Sequence, residues 1–158
     1  ADKAADGASR GFKLTAETGR YLALWMSFED IIRVADLKSR TGKKVMKVIK
    51  VSEPDDLAQA EAYVRVADAL MFDAKPPKDM KNALPGGNAV SFDWRILSDR
   101  KWPLPWMLAG GLRADNVADA VKLSNAQIVD SSSGVEDVPG QKNSAKIKEF
   151  LRAVSDIR

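Results

Sequence analysis

Two small-residue loops are the part of the sequence best suited to chemistry. Gly110-Gly111 ends one apolar run, and Ser131-Ser132-Ser133-Gly134 ends the next apolar run along the chain. Glycine lets an anion approach the backbone N–H groups closely, and a serine hydroxyl adds another donor. Two buried strands that end in such loops, with a helix pattern between them, are typical of the phosphate-binding end of a β/α barrel. The two loops therefore predict an anion site.

The residue types that are missing limit what this chain could catalyse. The sequence contains no cysteine and no histidine. Disulfides, thiolate metal sites and a cysteine base are therefore excluded, and the commonest general base and zinc ligand is absent. Acid–base chemistry must come from Asp, Glu, Lys or Tyr, or from another chain. We expect neither a metal nor a cofactor.

The composition indicates an ordinary globular protein. The 158 residues are enough for one domain with a sizeable core; 45% are hydrophobic, 30% are charged, and the net charge is +3. Basic residues are interspersed with acidic ones, whereas a nucleic-acid surface needs a clustered basic face. No apolar stretch approaches the roughly 18 residues of a membrane span, and the N-terminus lacks a signal-peptide pattern. We therefore expect a cytoplasmic protein that binds neither nucleic acid nor membranes.

Strand and helix patterns alternate along most of the chain. Asp73 stops the second strand pattern, and a long polar loop follows it. The order predicts a parallel sheet with right-handed crossovers. Strands are expected at 45–51, 66–72, 106–109 and 126–129, and helices after Ser52, at 92–97, at 115–123, and from Ser144 towards the C-terminus.

The first 42 residues have a different character. A loose arm of small and charged residues, 1–13, precedes two helix patterns, one capped by Thr15 and the other by Ser27. Gly42 ends the second helix. We therefore divide the chain into an N-terminal arm with helices, residues 1–42, and a β/α region, residues 43–158.

Six motifs, in order, resemble those of a known enzyme family. They are Phe72-Asp-Ala-Lys-Pro-Pro, Leu84-Pro-Gly-Gly-Asn, Phe92-Asp-Trp, Ala109-Gly-Gly-Leu, Asp115-Asn-Val and Val129-Asp-Ser-Ser-Ser-Gly-Val-Glu. From about residue 45 to the C-terminus, the chain resembles the second half of phosphoribosylanthranilate isomerase, a β/α-barrel enzyme of tryptophan biosynthesis. Residues 10–40 weakly resemble a segment of an indolepyruvate:ferredoxin oxidoreductase subunit. Either the chain is a fusion of two fragments, or it is a divergent barrel half preceded by helices.

The resemblance to the isomerase assigns roles to six residues. The family reaction is an Amadori rearrangement of a phosphorylated sugar amine, and the family's general acid corresponds to Asp73. The apolar strand before Asp73 suits an acid, because apolar surroundings raise a carboxyl pKa; the alternative is that Asp73 only caps a loop. By resemblance, the substrate phosphate binds Gly110, Gly111, Ser132, Ser133 and Gly134, with ligand-free tight turns as the alternative. The family's cysteine base has no counterpart here.

The resemblance also implies a partial (β/α)8 (TIM) barrel, an α/β fold with strands five to eight and their helices, preceded by the N-terminal helical segment. Closure of a barrel needs about eight strands, and an open half leaves sheet edges and apolar surface uncovered. We therefore expect self-association, with the N-terminal helices in the interface, or a complementary barrel fragment.

Three functions follow from these patterns. The chain is an intramolecular oxidoreductase of the aldose–ketose isomerase type that is complete only in an assembly, a non-catalytic fusion that keeps a phosphate-binding loop pair, or an accessory subunit that docks through its N-terminal helices. The lost base argues against turnover by this chain alone, and the retained Asp73 and phosphate loops argue against complete decay.

Overall fold

The computed structural model describes Gly42 and residues 44–76 and 90–157. The chain divides into two compact units, and the unit Met46–Arg158 is described here by itself. Three predictions lie outside the described residues: the helices after Thr15 and Ser27, the whole segment 10–40 that resembles an oxidoreductase subunit, and the Leu84-Pro-Gly-Gly-Asn motif. Those predictions stay predictions.

A parallel three-stranded sheet confirms the predicted α/β class. Its strands are β1 (Met46–Val51), β2 (Ala69–Ala74) and β3 (Trp106–Leu108), hydrogen-bonded in the order β1-β2-β3. β2 begins three residues later than predicted, because the N–H groups of Val66 and Ala67 still bond to the carbonyl of Tyr63 in the preceding turn. β2 also ends two residues later than predicted, so Asp73 lies inside β2 rather than after it.

The prediction of a fourth strand at 126–129 is wrong. The segment forms a single parallel bridge between Leu108 and Val129 rather than a strand. The Leu108 N–H donates to the Ile128 carbonyl at 2.9 Å, and the Asp130 N–H donates to the Leu108 carbonyl at 2.8 Å. Left-handed Asn125 (φ 61°) lies just before the segment and the serine loop just after it, so that only one bridge fits between them. The segment still carries Asp130 to the same edge of the sheet as Asp73.

Helices connect the strands largely as predicted. The last helix is capped by Asn143 rather than Ser144, because the Asn143 Oδ1 accepts the N–H groups of Ala145 and Lys146. A short antiparallel hairpin before it was not predicted. The elements are a 3-10 helix (Pro54–Leu57), α1 (Ala58–Tyr63), a 3-10 helix (Trp94–Leu97), α2 (Val117–Ser124), a 3-10 helix (Ser133–Val135), β4 (Glu136–Val138), β5 (Gln141–Lys142) and α3 (Ser144–Ser155). Within the described part of the chain, no helix has the length and apolar character needed to cross a bilayer.

The two faces of the sheet differ in burial, as the period-2 alternation of strands requires. One face carries the core, in which Ile49, Val51, Leu70, Phe72 and Leu108 are at most 1% exposed. The opposite face carries Lys50, Met71 and Asp73, which are only partly buried. Lys50 and Asp73 are also direct partners in the β1–β2 register. The less buried face therefore carries Lys50 and Asp73 next to the loops, whereas the third ionisable side chain of these strands, Lys47, is buried on the core face over the Tyr63 ring.

Candidate functional site

A pocket of about 220 Å³ lies where the carboxyl ends of the parallel strands meet. This is the edge at which α/β proteins bind ligands. The pocket brings together residues that are far apart in sequence, including five of the six predicted site residues. Its lining consists of Met71, Asp73, Ala74, Val90, Ala109, Gly110, Gly111, Asp130, Ser132 and Ser133.

The first loop needs glycine at both positions. Gly110 has φ +94° and Gly111 has φ +63°. A Cβ on Gly110 would lie 2.6 Å from the Ala74 nitrogen, and a Cβ on Gly111 would lie 2.8 Å from the Val90 carbonyl oxygen. The missing side chains therefore let the loop pack against the end of β2. This close approach is what places Gly110 beside the Asp73 carboxylate, whose Oδ1 would be 3.2 Å from that Cβ.

Asn116 holds the first loop to the helix that follows it, a role that the sequence patterns did not indicate. Its Nδ2 donates to the Gly111 carbonyl at 3.0 Å, while its Oδ1 accepts the Arg113 N–H at 2.8 Å. Both bonds lie at the start of α2, so the side chain holds the loop to the helix that follows it. The available signal was an Asp-Asn pair just before a helix pattern, which is typical of a capping site.

The second loop is fastened to the first by Ser131. Its hydroxyl donates to the Leu112 carbonyl at 2.7 Å. Gly134 lies against the same carbonyl, where any Cβ would overlap the Leu112 oxygen. Gly134 is not among the residues that line the pocket, so its position is that of a close-packing residue behind the loop. Ser132 and Ser133, in contrast, face the pocket as expected for ligand donors.

Asp73 forms an ion pair that the sequence did not predict. The Lys50 Nζ lies 2.6 Å from the Asp73 Oδ2, and the two side chains are 32% and 17% exposed. The sequence patterns assigned no role to Lys50. The parallel register makes the two residues cross-strand neighbours. Asp73 is thus a charge-assisted hydrogen-bond acceptor at the floor of the pocket, not a carboxyl surrounded only by apolar groups.

Asp130 is the second carboxyl in the pocket. Partial burial raises the pKa of Asp130, the nearby charge of Asp73 raises it further, and the Lys142 ammonium partly opposes both effects. Asp73 and Asp130 are the charged residues of the lining, and both are acidic. Two interacting carboxyls of this kind can divide the roles of proton donor and acceptor. Among the described residues, no group of three Asp or Glu side chains is close enough to hold a metal ion.

Comparisons with known proteins identify the family to which the chain belongs. The family model for N-(5'phosphoribosyl)anthranilate (PRA) isomerase matches residues 32–153. The chain belongs to the phosphoribosylanthranilate isomerase family. This confirms the family resemblance inferred from the motifs. The match begins at residue 32, so residues 32–40 of the segment that resembles an oxidoreductase subunit fall inside the isomerase match.

Individual relatives give the same result. The chain is 60% identical over 121 residues to the N-(5'-phosphoribosyl)anthranilate isomerase of Paramagnetospirillum magneticum. The matched region covers 77% of this chain and 55% of that protein. The chain is 49% identical over 130 residues to the enzyme of Ruegeria sp., covering 82% of this chain and 60% of that protein. A crystal structure of the isomerase from Thermotoga maritima superposes with a TM-score of 0.63 at 29% identity, covering 80% of this chain and 58% of that one. The chain therefore spans a little over half the length of the relatives it matches.

Proposed function

We propose that this chain carries the phosphate subsite and the general acid of a phosphoribosylanthranilate isomerase. The main observation in support is that Asp73 and both small-residue loops line the same pocket. A solved relative was crystallised with reduced 1-(o-carboxyphenylamino)-1-deoxyribulose 5-phosphate, a phosphorylated sugar amine. By this proposal the substrate phosphate binds at Gly110, Gly111, Ser132 and Ser133, Gly134 packs behind the serine loop instead of contacting the phosphate, and the reacting carbons lie towards Asp73.

The reaction needs two proton transfers and no external oxidant. A donor protonates the ring oxygen while the amine nitrogen supplies the electrons that open the ring. A base then removes the proton from the adjacent carbon, and the resulting enolamine tautomerises to the ketone as its hydroxyl loses a proton and the former anomeric carbon gains one. One carbon is oxidised and its neighbour is reduced, so the redox change balances within the substrate. Each positioned acid or base typically contributes a rate factor of ~100 to 10,000.

Asp73 suits the donor role by its position at the pocket floor, and Lys50 sets a condition on it. A carboxyl that donates a proton must be uncharged, whereas the 2.6 Å contact with Lys50 Nζ is that of an ion pair. In this proposal Lys50 moves away from Asp73 when substrate enters, or its ammonium passes a proton to the carboxylate. Asp130 is the second acid–base group of the pocket, and its raised pKa brings it closer to the value that proton transfer at neutral pH requires.

The rest of the barrel is a proposal of the same kind. Strands five to eight of a TIM barrel would account for a chain that spans 55% of its relative, with residues 43–158 as the barrel part and 1–42 as a separate helical segment. Several large apolar side chains of the described unit are exposed: Ile128 is 45% exposed, and on α3 Ile147 and Leu151 are 36% and 58% exposed. We propose that a complementary barrel fragment, or a second copy of the chain, covers them.

Turnover of phosphoribosylanthranilate tests the proposal. The purified chain is assayed alone and after mixing with the first-half fragment of the Paramagnetospirillum magneticum enzyme, which supplies the portion that this chain does not match. We expect a very low rate from the chain alone and a clear gain from the mixture, because the family's cysteine base is missing from this chain. Asp73→Asn is expected to abolish the gain, and Asp119→Asn, on the exposed side of α2, to preserve it.

The same experiment has two contrary outcomes. Full activity of Asp73→Asn in the mixture would remove Asp73 from the mechanism. Rapid turnover by the chain alone would show that a base within this chain has replaced the cysteine. Asp130 lines the pocket and could do so, whereas Lys47, the other residue considered for this role, is buried over the Tyr63 ring on the opposite face of the sheet.

A further inference from the structure

Lys142 makes three polar contacts directly behind the serine loop. Its Nζ donates to the Ser132 carbonyl at 2.9 Å and to the Ser132 Oγ at 3.0 Å, and it lies 2.7 Å from the Glu136 Oε1. An ammonium group has three N–H donors. All three are therefore used within the protein, two of them on one residue of the pocket lining.

These contacts determine what the Ser132 hydroxyl can do. A serine hydroxyl has one O–H donor and two acceptor lone pairs. Because Lys142 can only donate, it occupies an acceptor site of the Ser132 Oγ, and the hydroxyl hydrogen must point elsewhere. Ser132 lines the pocket. The hydrogen is thereby left for an acceptor in the pocket, and phosphate oxygens are strong acceptors.

The hairpin holds Lys142 in place. Lys142 lies on β5, and Glu136 lies opposite it on β4 as its register partner. The Glu136 side chain is 12% exposed. The hydrogen bond from Lys142 is the main cause that lowers the pKa of Glu136, so this carboxylate stays charged and keeps the ammonium oriented. Glu136 offsets part of the ammonium charge, which still acts on Asp130, so orientation of Ser132 is a separate effect of Lys142 on the pocket.

We propose that Lys142 is a positioning residue of the phosphate subsite, which fixes the Ser132 hydroxyl as a donor to a phosphate oxygen. The inference rests on the proposed function, because it deepens the same site. It gives the β4–β5 hairpin, which sequence patterns did not predict, a part in ligand binding. It also explains how a pocket whose charged lining residues are two carboxylates can accept an anion: its donors are oriented before the anion arrives.

A double-mutant cycle tests the inference. Inorganic phosphate and ribose 5-phosphate are titrated into the 158-residue chain and into Lys142→Met, Ser132→Ala and the double variant, by calorimetry. A hydrogen bond to a charged group contributes enough to lower affinity about tenfold or more when it is lost. We expect each single variant to bind phosphate about tenfold more weakly, and the double variant to bind no more weakly than Ser132→Ala. Lys142→Arg, which keeps a charged donor, should retain part of the affinity.

Lys148→Met is the matched control, because it removes the same charge from an exposed position on α3. Circular dichroism and thermal unfolding of every variant separate loss of binding from loss of folding. A further loss of affinity when Lys142→Met is added to Ser132→Ala would overturn the inference, because Lys142 would then act by charge alone. Equal binding by parent and Lys142→Met would overturn it and leave the proposed phosphate subsite intact. Absence of phosphate binding by the parent chain would overturn both.

Discussion

Ser131 and Ser132 are adjacent in sequence but are expected to respond differently to the same substitution. The Ser131 hydroxyl donates to the carbonyl of Leu112, a residue that is 1% exposed, at 2.7 Å. Ser131→Ala removes the donor and leaves that carbonyl with one partner fewer in a partly buried position. The loss of such a bond typically costs about 1–2 kcal/mol in the free energy of unfolding. For a chain of this size, 1 kcal/mol corresponds to roughly 2–4 °C in Tm, so we expect a fall of roughly 2–8 °C.

Urea denaturation and thermal unfolding measure this cost, and Ser155→Ala is its control. The Ser155 hydroxyl makes the same type of bond, to the Leu151 carbonyl at 2.9 Å, but at the exposed end of α3, where water can replace it. We expect Ser155→Ala to change stability by less than about 0.5 kcal/mol. Ser132→Ala should likewise leave stability almost unchanged while it weakens phosphate binding. Equal losses of stability for Ser131→Ala and Ser155→Ala would refute the view that Ser131 fastens the two loops together.

Three further predictions concern the strand ends and the pocket. Gly110→Ala should destabilise the protein by about 2 kcal/mol or more, measured by urea unfolding, because of its φ of +94° and the 2.6 Å approach to the Ala74 nitrogen; an unchanged midpoint would contradict this. Asp56→Asn should lower stability by about 1–2 kcal/mol at pH 7, because the Asp56 carboxylate accepts the Ser52 and Glu53 N–H groups and pairs with Lys75. Although burial opposes it, these bonds hold the Asp56 pKa well below its usual value, so the difference between parent and variant should shrink as pH falls below the unfolded value of about 4. The pH dependence contributed by Asp130 has the opposite sign, because its pKa is raised and the folded state therefore binds more protons than the unfolded state. Stability should fall as pH rises above about 4. Asp130→Asn should remove that decline, which urea titrations at pH 4 and pH 7 measure.

Local patterns predicted the main elements of the described unit because their signals lie within a few residues. β1 is a β-branched run, α3 has apolar residues at helical spacing, and the Gly-Gly and serine loops end apolar runs. The errors lie where tertiary contacts decide. Segment 126–129 has the composition of a strand, but the turns on both sides of it allow only one bridge. Asn143, and not the predicted Ser144, caps the N-terminus of α3, because its amide oxygen accepts hydrogen bonds from two N–H groups.

The sequence predicted residues that line the candidate site but not the residues that hold them in place. Asp73 and four loop residues were identified because the motifs themselves carry them, and all of them line the pocket. The partners Lys50, Asn116 and Lys142 were not assigned roles. Lys50 meets Asp73 only through strand register, and Lys142 meets Ser132 only because an unpredicted hairpin folds back. Neither contact can be predicted from the local composition of the sequence or from the spacing of its residues.

The hydrogen bonds that fasten the two loops all join residues that are close in sequence. Asn116 bonds to Gly111 five residues away, Lys142 to Ser132 ten residues away, and Ser131 to Leu112 nineteen residues away. Short loops are quick to close, because the entropy lost in closing them is small. The contacts made by Asn116 and Lys142 should therefore form early during folding, whereas the Ser131–Leu112 bond and the Lys50–Asp73 pair, 19 and 23 residues apart in sequence, close at nearly equal entropic cost. An anion that binds this early structure would speed refolding as well as stabilise the folded protein.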